Sequence, residues 1–234
     1  KIAKQVLEDV SGAVGLEEST EGIRKILRFV CRFEPVPLHD LSRAVMIPVP
    51  VVSAVRRELE KRNIFSRKSG IILTPEGKML LQSIGIYSSK LPELKLEYSV
   101  SEWLRPVAGQ FRLIQEGRPA PDFTLDQSHV DSETSVLRSA YLYEHDALDG
   151  RDLIFMGDDD LTSLAVCLLS TEYDLNIGTI TVVDVDTRIL RFISKSARRI
   201  GVEVNTIECD LRQGLPRNLA GRYDVFFTDP PYTI

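Results

Sequence analysis

Three consecutive carboxylates, Asp158-Asp159-Asp160, follow a single glycine, Gly157, at the end of the apolar run Leu153–Met156. A strand-length apolar run that meets a glycine and then gives way to helical spacing marks the carboxyl end of a strand. That is where an open α/β sheet places its ligand. Adjacent buried carboxylates repel one another and lose hydration, so they call for a cationic ligand, a metal or a raised pKa. A second group, Asp229-Pro230-Pro231-Tyr232, closes another apolar run at 223–228. Its prolines fix the backbone, aiming the Asp229 carboxylate and the Pro230 carbonyl at a nitrogen donor while the Tyr232 ring lines what carries it. The chemistry this favours is displacement by an amine, with a lone pair held in line and a carboxylate taking the proton.

Two further strand ends carry acids. Asp184 and Asp186 follow the run 179–183 and stand where carboxylates accept from ribose hydroxyls; Asp210 follows 202–207, where it can accept from an adenine amino group. No G-x-G-x-x-G is present, so a dinucleotide pyrophosphate is not expected. Between these ends lie helices. Leu161, Leu164, Ala165, Leu168 and Leu169 keep i, i+3, i+4, i+7, i+8 spacing, with Asp160 as the expected cap. Ile189, Leu190, Ile193 and Ile200 form another helix, closed by Arg198, Arg199 and Gly201. A helix over about 132–148 precedes the first strand, and Gln127, His129, Glu133 and Glu144 either reach a ligand from it or form a solvated face. Residues 127–234 are therefore expected to be a Rossmann-like α/β domain.

The first ninety residues read differently. Ile2, Val6 and Val10, then Ile23, Ile26, Leu27 and Val30, predict two helices with a turn near 15–19. A short helix follows over Leu38–Val45, then the Pro48 and Pro50 pair, then a helix with Val51, Val52, Val55 and Leu59 inside and Arg56, Arg57, Lys61 and Arg62 on its outer face. A hairpin is expected at 64–73, and Thr74 and Pro75 start another helix as cap and first helical residue. The order resembles a winged helix-turn-helix domain, spanning 1–90, whose four cations would bind DNA unless they are a solvated scaffold face. Residues 91–126, with Pro92, Pro106, Pro119 and Pro121 and the strand-like Phe111 to Ile114, read as a linker or bridging hairpin.

Charge separates the two parts. Residues 1–100 carry 16 Lys and Arg against 12 Asp and Glu, a net of +4, and residues 101–234 carry 13 against 22, a net of −9. An acidic domain around an aspartate triplet draws in a small cation and makes nucleic acid an unfavoured partner. Cys31, Cys167 and Cys209 lie in apolar surroundings, as small core residues do in a reducing compartment, and the three histidines show no ligand spacing with them, so no metal is expected. No apolar run nears the roughly 20 residues of a membrane span, and no signal-peptide core opens the chain, which gives a cytoplasmic expectation.

The winged helix, Gly157 to Asp160 and Asp229 to Thr233 together resemble the branched-chain polyamine synthases, the N4-aminopropyltransferases of thermophilic prokaryotes. The resemblance implies transfer of the aminopropyl group of decarboxylated S-adenosylmethionine to the secondary amine of spermidine, giving branched polyamines and 5'-methylthioadenosine, with no tightly bound cofactor and a homodimer allowed. The residues agree with such a donor. A methionine carboxylate facing a loop carboxylate at about 4 Å is repelled by roughly 4 kcal/mol at an effective dielectric near 20, or about three decades in affinity. An ammonium in its place is attracted. Asp159 is then expected as base or nucleophile-orienting group with Asp229 sharing the work, Gly157, Asp158, Asp184, Asp186 and Asp210 on the donor, and Asp160, Pro230 and Tyr232 on the acceptor. Because relatives of this fold continue past a fourth strand, the catalytic domain is expected to be truncated at Ile234. Two alternatives remain open: an amino-group methyltransferase acting on nucleic acid, and a polyamine-sensing regulator.

Overall fold

In the computed structural model, which describes residues 2–86 and 100–229, helical spacing becomes helix nearly throughout. The chain divides into two units, Lys1–Lys90 and Leu91–Ile234. The first holds α1 (Ile2–Val14), α2 (Ser19–Phe33), α3 (Leu38–Val45), α4 (Val49–Lys61), the antiparallel pair β1 (Phe65–Arg67) and β2 (Ile71–Leu73), and α5 (Pro75–Ser83). Ile23, Leu27, Val52 and Leu59, as their spacing predicts, join Leu41 and Leu81 in its core. The Thr74 hydroxyl accepts from Gly77 N at 2.9 Å, and Pro75 occupies the first turn, so α5 starts where its cap pattern says.

The basic face expected on α4 is not free. Arg56 is buried and pairs with Glu60 at 3.5 Å; Lys61 and Arg62 both reach Glu58, at 2.6 Å each. Three of the four cations are thus engaged by carboxylates of α4, and of the two that are exposed, Arg57 and Lys61, Lys61 is one of the paired ones.

In the second unit a correction comes first. Residues 111–114 are not strand-like: they lie within α6 (Arg105–Gln115), which buries Val107 and Phe111 on one face. Pro106 sits in the first turn of this helix, where a missing N–H costs nothing, so a residue that read as a breaker is a starter. Then follow α7 (Ser132–Glu144), β3 (Leu153–Met156), α8 (Thr162–Tyr173), β4 (Ile180–Asp184), α9 (Thr187–Ile200), β5 (Asn205–Glu208) and β6 (Val225–Thr228). The architecture is mixed α/β around a parallel sheet of order β5-β4-β3-β6. Alternation along the strands divides the core. Leu153, Phe155, Ile180 and Val182 face the cluster built with α6 to α9, and Ile154 and Val183 face a small cluster with Leu219. No single helix among the described residues is long and apolar enough to cross a membrane.

Candidate active site

β3 precedes β4, β5 and β6 in the chain yet lies between β4 and β6, so the sheet changes direction at β3, and this is the crevice where open α/β sheets bind ligands. Met156 is in register with Val183 on one side and Thr228 on the other, and the Thr228 hydroxyl donates to the Met156 carbonyl at 3.0 Å. The loop after β3, Asp184 and Asp229 therefore meet at one sheet edge. Gly157 has φ +75°, a conformation that suits glycine, and a Cβ placed there would meet no atom within 4 Å.

The three aspartates have separate surroundings. Asp158 points inward: both carboxylate oxygens lie near Ser163 N, at 3.3 and 3.2 Å, at the start of α8, while its own N–H donates to Asp184 Oδ2 at 3.1 Å. Burial pushes its pKa up to about 8, against the lowering effect of the Ser163 and Thr162 donors. Asp158, not Asp160, serves the amino end of α8, whose cap position is Leu161 at φ 59°. Two positive φ angles, at Gly157 and Leu161, turn the loop so that its first carboxylate goes under the helix.

Asp160 accepts from Val130 N at 2.8 Å and from Arg138 Nη1 at 2.7 Å, and its side chain is 6% exposed. The other arm of the same guanidinium, Nη2, is hydrogen-bonded to Asp229. Burial works against the Arg138 charge, but the hydrogen bond with Asp160 and the charge of Asp229 outweigh it and raise its pKa. Asp159 is half-buried and accepts no hydrogen bond from another described residue through its carboxylate, although Arg118 Nη1 donates to its main-chain carbonyl at 3.2 Å. Burial first, then the charges of Asp160 and Asp184, lift its pKa to about 6. A carboxylate poised there suits a general base near neutral pH. Near Arg118 and Asp160, His129 Nε2 is buried without a hydrogen-bond partner among the described residues, and burial and the Arg118 charge lower its pKa.

The end of β4 is already occupied. Asp184 accepts from Asp158 N and, at 2.8 Å, from Asp186 N. Asp186 caps α9 and accepts from Arg188 N, Nε and Nη2 and from Gln127 Nε2, at 2.7 to 3.1 Å; the Arg188 hydrogen bond foremost takes its pKa down to about 2. Asp210 is held by Arg212 and Gln213 of its own turn beyond β5, also with a pKa near 2, caused mainly by Arg212. Hydrogen bonds thus join Asp158, Asp184 and Asp186, Arg138 joins Asp160 and Asp229, and Asp210 stands outside both networks. Pro230 and Tyr232 lie outside the described residues.

Sequence reasoning missed Arg138 and Arg118. Arg138 is the sole cation of α7 and lies between the apolar positions Val136 and Ala140, a legible sign of a buried charge with a partner. These arginines also change the electrostatic picture. Of the three clustered carboxyl groups, one is buried under a helix and one is paired, so Asp159 alone in the triplet has a carboxylate without a hydrogen-bond partner from another described residue.

The family model for the branched-chain polyamine synthase A C-terminal domain matches residues 106–234. An uncharacterized protein of Methanocaldococcus jannaschii is 34% identical over 98% of this chain and 59% of its own length. The N(4)-bis(aminopropyl)spermidine synthase of Thermococcus kodakarensis is 33% identical over 83% of this chain and 55% of its own. The solved branched-chain polyamine synthase of Thermus thermophilus, in complex with N4-aminopropylspermidine and 5'-methylthioadenosine, is similar with a TM-score of 0.50 at 25% identity, covering 97% of this chain and 63% of that one. The chain thus spans about 55 to 63% of the length of these proteins.

Proposed function

The chain belongs to the branched-chain polyamine synthase family, and from that premise we propose that it transfers the aminopropyl group of decarboxylated S-adenosylmethionine to the secondary amine, N4, of spermidine. The observation that carries the assignment of roles is the Asp159 carboxylate, raised to about 6, at the edge where Asp229 also stands. In the transfer, the neutral N4 lone pair attacks the carbon bonded to the sulfonium sulfur. The new C–N bond forms as the C–S bond breaks, its electron pair goes to sulfur, and 5'-methylthioadenosine leaves. The alkylated nitrogen starts with one proton in excess, which Asp159 accepts.

On the donor side, the open space at Gly157 takes the aminopropyl arm, Asp186 exchanges its half-exposed Arg188 partner for ribose hydroxyls, and Asp210 accepts from the adenine amino group. Asp158 and Asp184 act through the loop they hold. On the acceptor side, Asp229, Pro230 and Tyr232 orient the amine, and Asp160 adds negative potential for the ammonium groups. In the first unit, α2 to α4 with the β1-β2 hairpin are read as a winged helix-turn-helix, and the ion pairs of α4 leave little free charge for a phosphate backbone.

Incubation with spermidine and either donor, followed by mass spectrometry, tests this. Aminopropylated spermidine with release of 5'-methylthioadenosine, from the decarboxylated donor only, is expected. Methylated product from S-adenosylmethionine would overturn the assignment in favour of an amino-group methyltransferase.

A further inference from the structure

The guanidinium of Arg138 is the bridge between two motifs 69 residues apart in the chain, Asp160 after β3 and Asp229 after β6. It is half-buried, its carbon lies 6.0 Å from the centroid of the Phe227 ring, and the α7 helix that carries it is also tied to the loop through the Ser135 hydroxyl, which donates to the Asp160 carbonyl at 2.8 Å. A planar fork can hold two carboxylates at once in a fixed relation, which a single ammonium cannot do. Without it, Asp160 and Asp229 would face each other across the crevice with no cation between them.

We propose that Arg138 is a positioning residue for the transfer. By spanning Asp160 and Asp229 it pins the two strand ends together and leaves Asp159 as the carboxylate of the triplet free to take the proton of the amine. This rests on the functional reading above, which uses Asp159 as the base. The charged groups acting on Asp159 come from three elements: Asp160 in its own loop, Asp184 at the end of β4 and Arg118 after α6; Arg138, with Asp229, and His129 reach it only through Asp160 or Arg118. Among them Arg138 is the cation that offsets Asp160 directly, so its removal exposes Asp159 to the full Asp160 charge.

The test is the pH profile of kcat/KM for spermidine in Arg138→Met, Arg138→Lys, Asp160→Asn and the Arg138→Met/Asp160→Asn pair. Arg138→Met is expected to slow turnover by about 100-fold through misplacement and to move the acid limb to higher pH. Asp160→Asn moves the limb the other way, and the pair returns it towards the starting position. Arg138→Lys restores the limb more fully than the rate, because it returns charge without the span. An acid limb that stays in place in Arg138→Met, or an Arg138→Lys enzyme as fast as the parent, overturns the proposal; the latter decides it even where Arg138→Met does not fold. A parent protein that transfers no aminopropyl group overturns the functional reading instead. Carboxyl NMR titration of Asp159 without substrate then decides the part of Arg138 by itself, an upward shift in Arg138→Met supporting the coupling and no shift overturning it.

Discussion

The Oδ2 atom of Asp184 accepts a hydrogen bond from the main-chain N–H of Asp158 at 3.1 Å, so the end of β4 holds the loop that follows β3. Both residues are buried, and the other oxygen of Asp184 holds Asp186 N. Asp184→Ala leaves two buried N–H groups unpaired, at about 1–3 kcal/mol each. Urea denaturation is expected to show a loss of about 2–6 kcal/mol, and a loss below about 0.5 kcal/mol would mean that water or a shifted loop replaces the carboxylate.

Asp159→Asn keeps the size of the side chain and removes its basicity. Turnover is expected to fall by about 10²–10⁴-fold with no loss of melting temperature. In the parent, kcat/KM should rise with pH through about 6, where Asp159 loses its proton. An acid limb near the ordinary carboxylate range would remove Asp159 from the role of base.

Asp158 has the opposite consequence, for stability. Its folded pKa, about 8, lies above its ordinary value of 3.8, so between those limits the folded chain binds the proton that the unfolded chain has lost. The contribution of this group to stability therefore falls as pH rises across that window. Asp158→Asn, which cannot ionise and can still accept from Ser163 N, should flatten the slope. Denaturation at pH 5 and pH 9 checks it: the variant should gain on the parent at the higher pH, and parallel curves would contradict the assignment.

Gly157→Ala introduces a Cβ into open space at φ +75°. The backbone cost is about 1–2 kcal/mol, with the fold intact. With the aminopropyl arm against this residue, calorimetry should show markedly weaker binding of decarboxylated S-adenosylmethionine, and little change for 5'-methylthioadenosine, which lacks the arm. Unaltered affinity for the decarboxylated donor would place the arm elsewhere.

Much of the fold was legible because one pattern governed each element. The leucine spacing of α8, the cap and proline of α5 and the left-handed Gly201 after α9 all appear where periodicity and terminal chemistry put them. The misreading of α6 came from counting prolines without asking which lay in a first turn. Within the site, the positions of the acids at strand ends were readable, since parallel strands collect their carboxyl ends on one edge. Their partners were not. Which oxygen of Asp186 meets Arg188, or that Asp158 rather than Asp160 serves α8, depends on loop dihedrals that spacing does not encode. The need of Arg138 for a partner was legible but the partner was not, because an arginine 22 residues before Asp160 meets it only after α7 packs against α8.

The reversal of strand order at β3 also bears on how such an enzyme can diversify. Under the proposed roles, groups for the nucleoside donor arrive from the β4 side and groups for the amine from the β6 side, on separate segments of chain that share the middle strand, and the α7 arginine serves the amine side. On that proposal, substitutions on the β6 side need not disturb the β4 side. If those roles hold, a lineage built this way can change its acceptor while keeping one alkylating reagent.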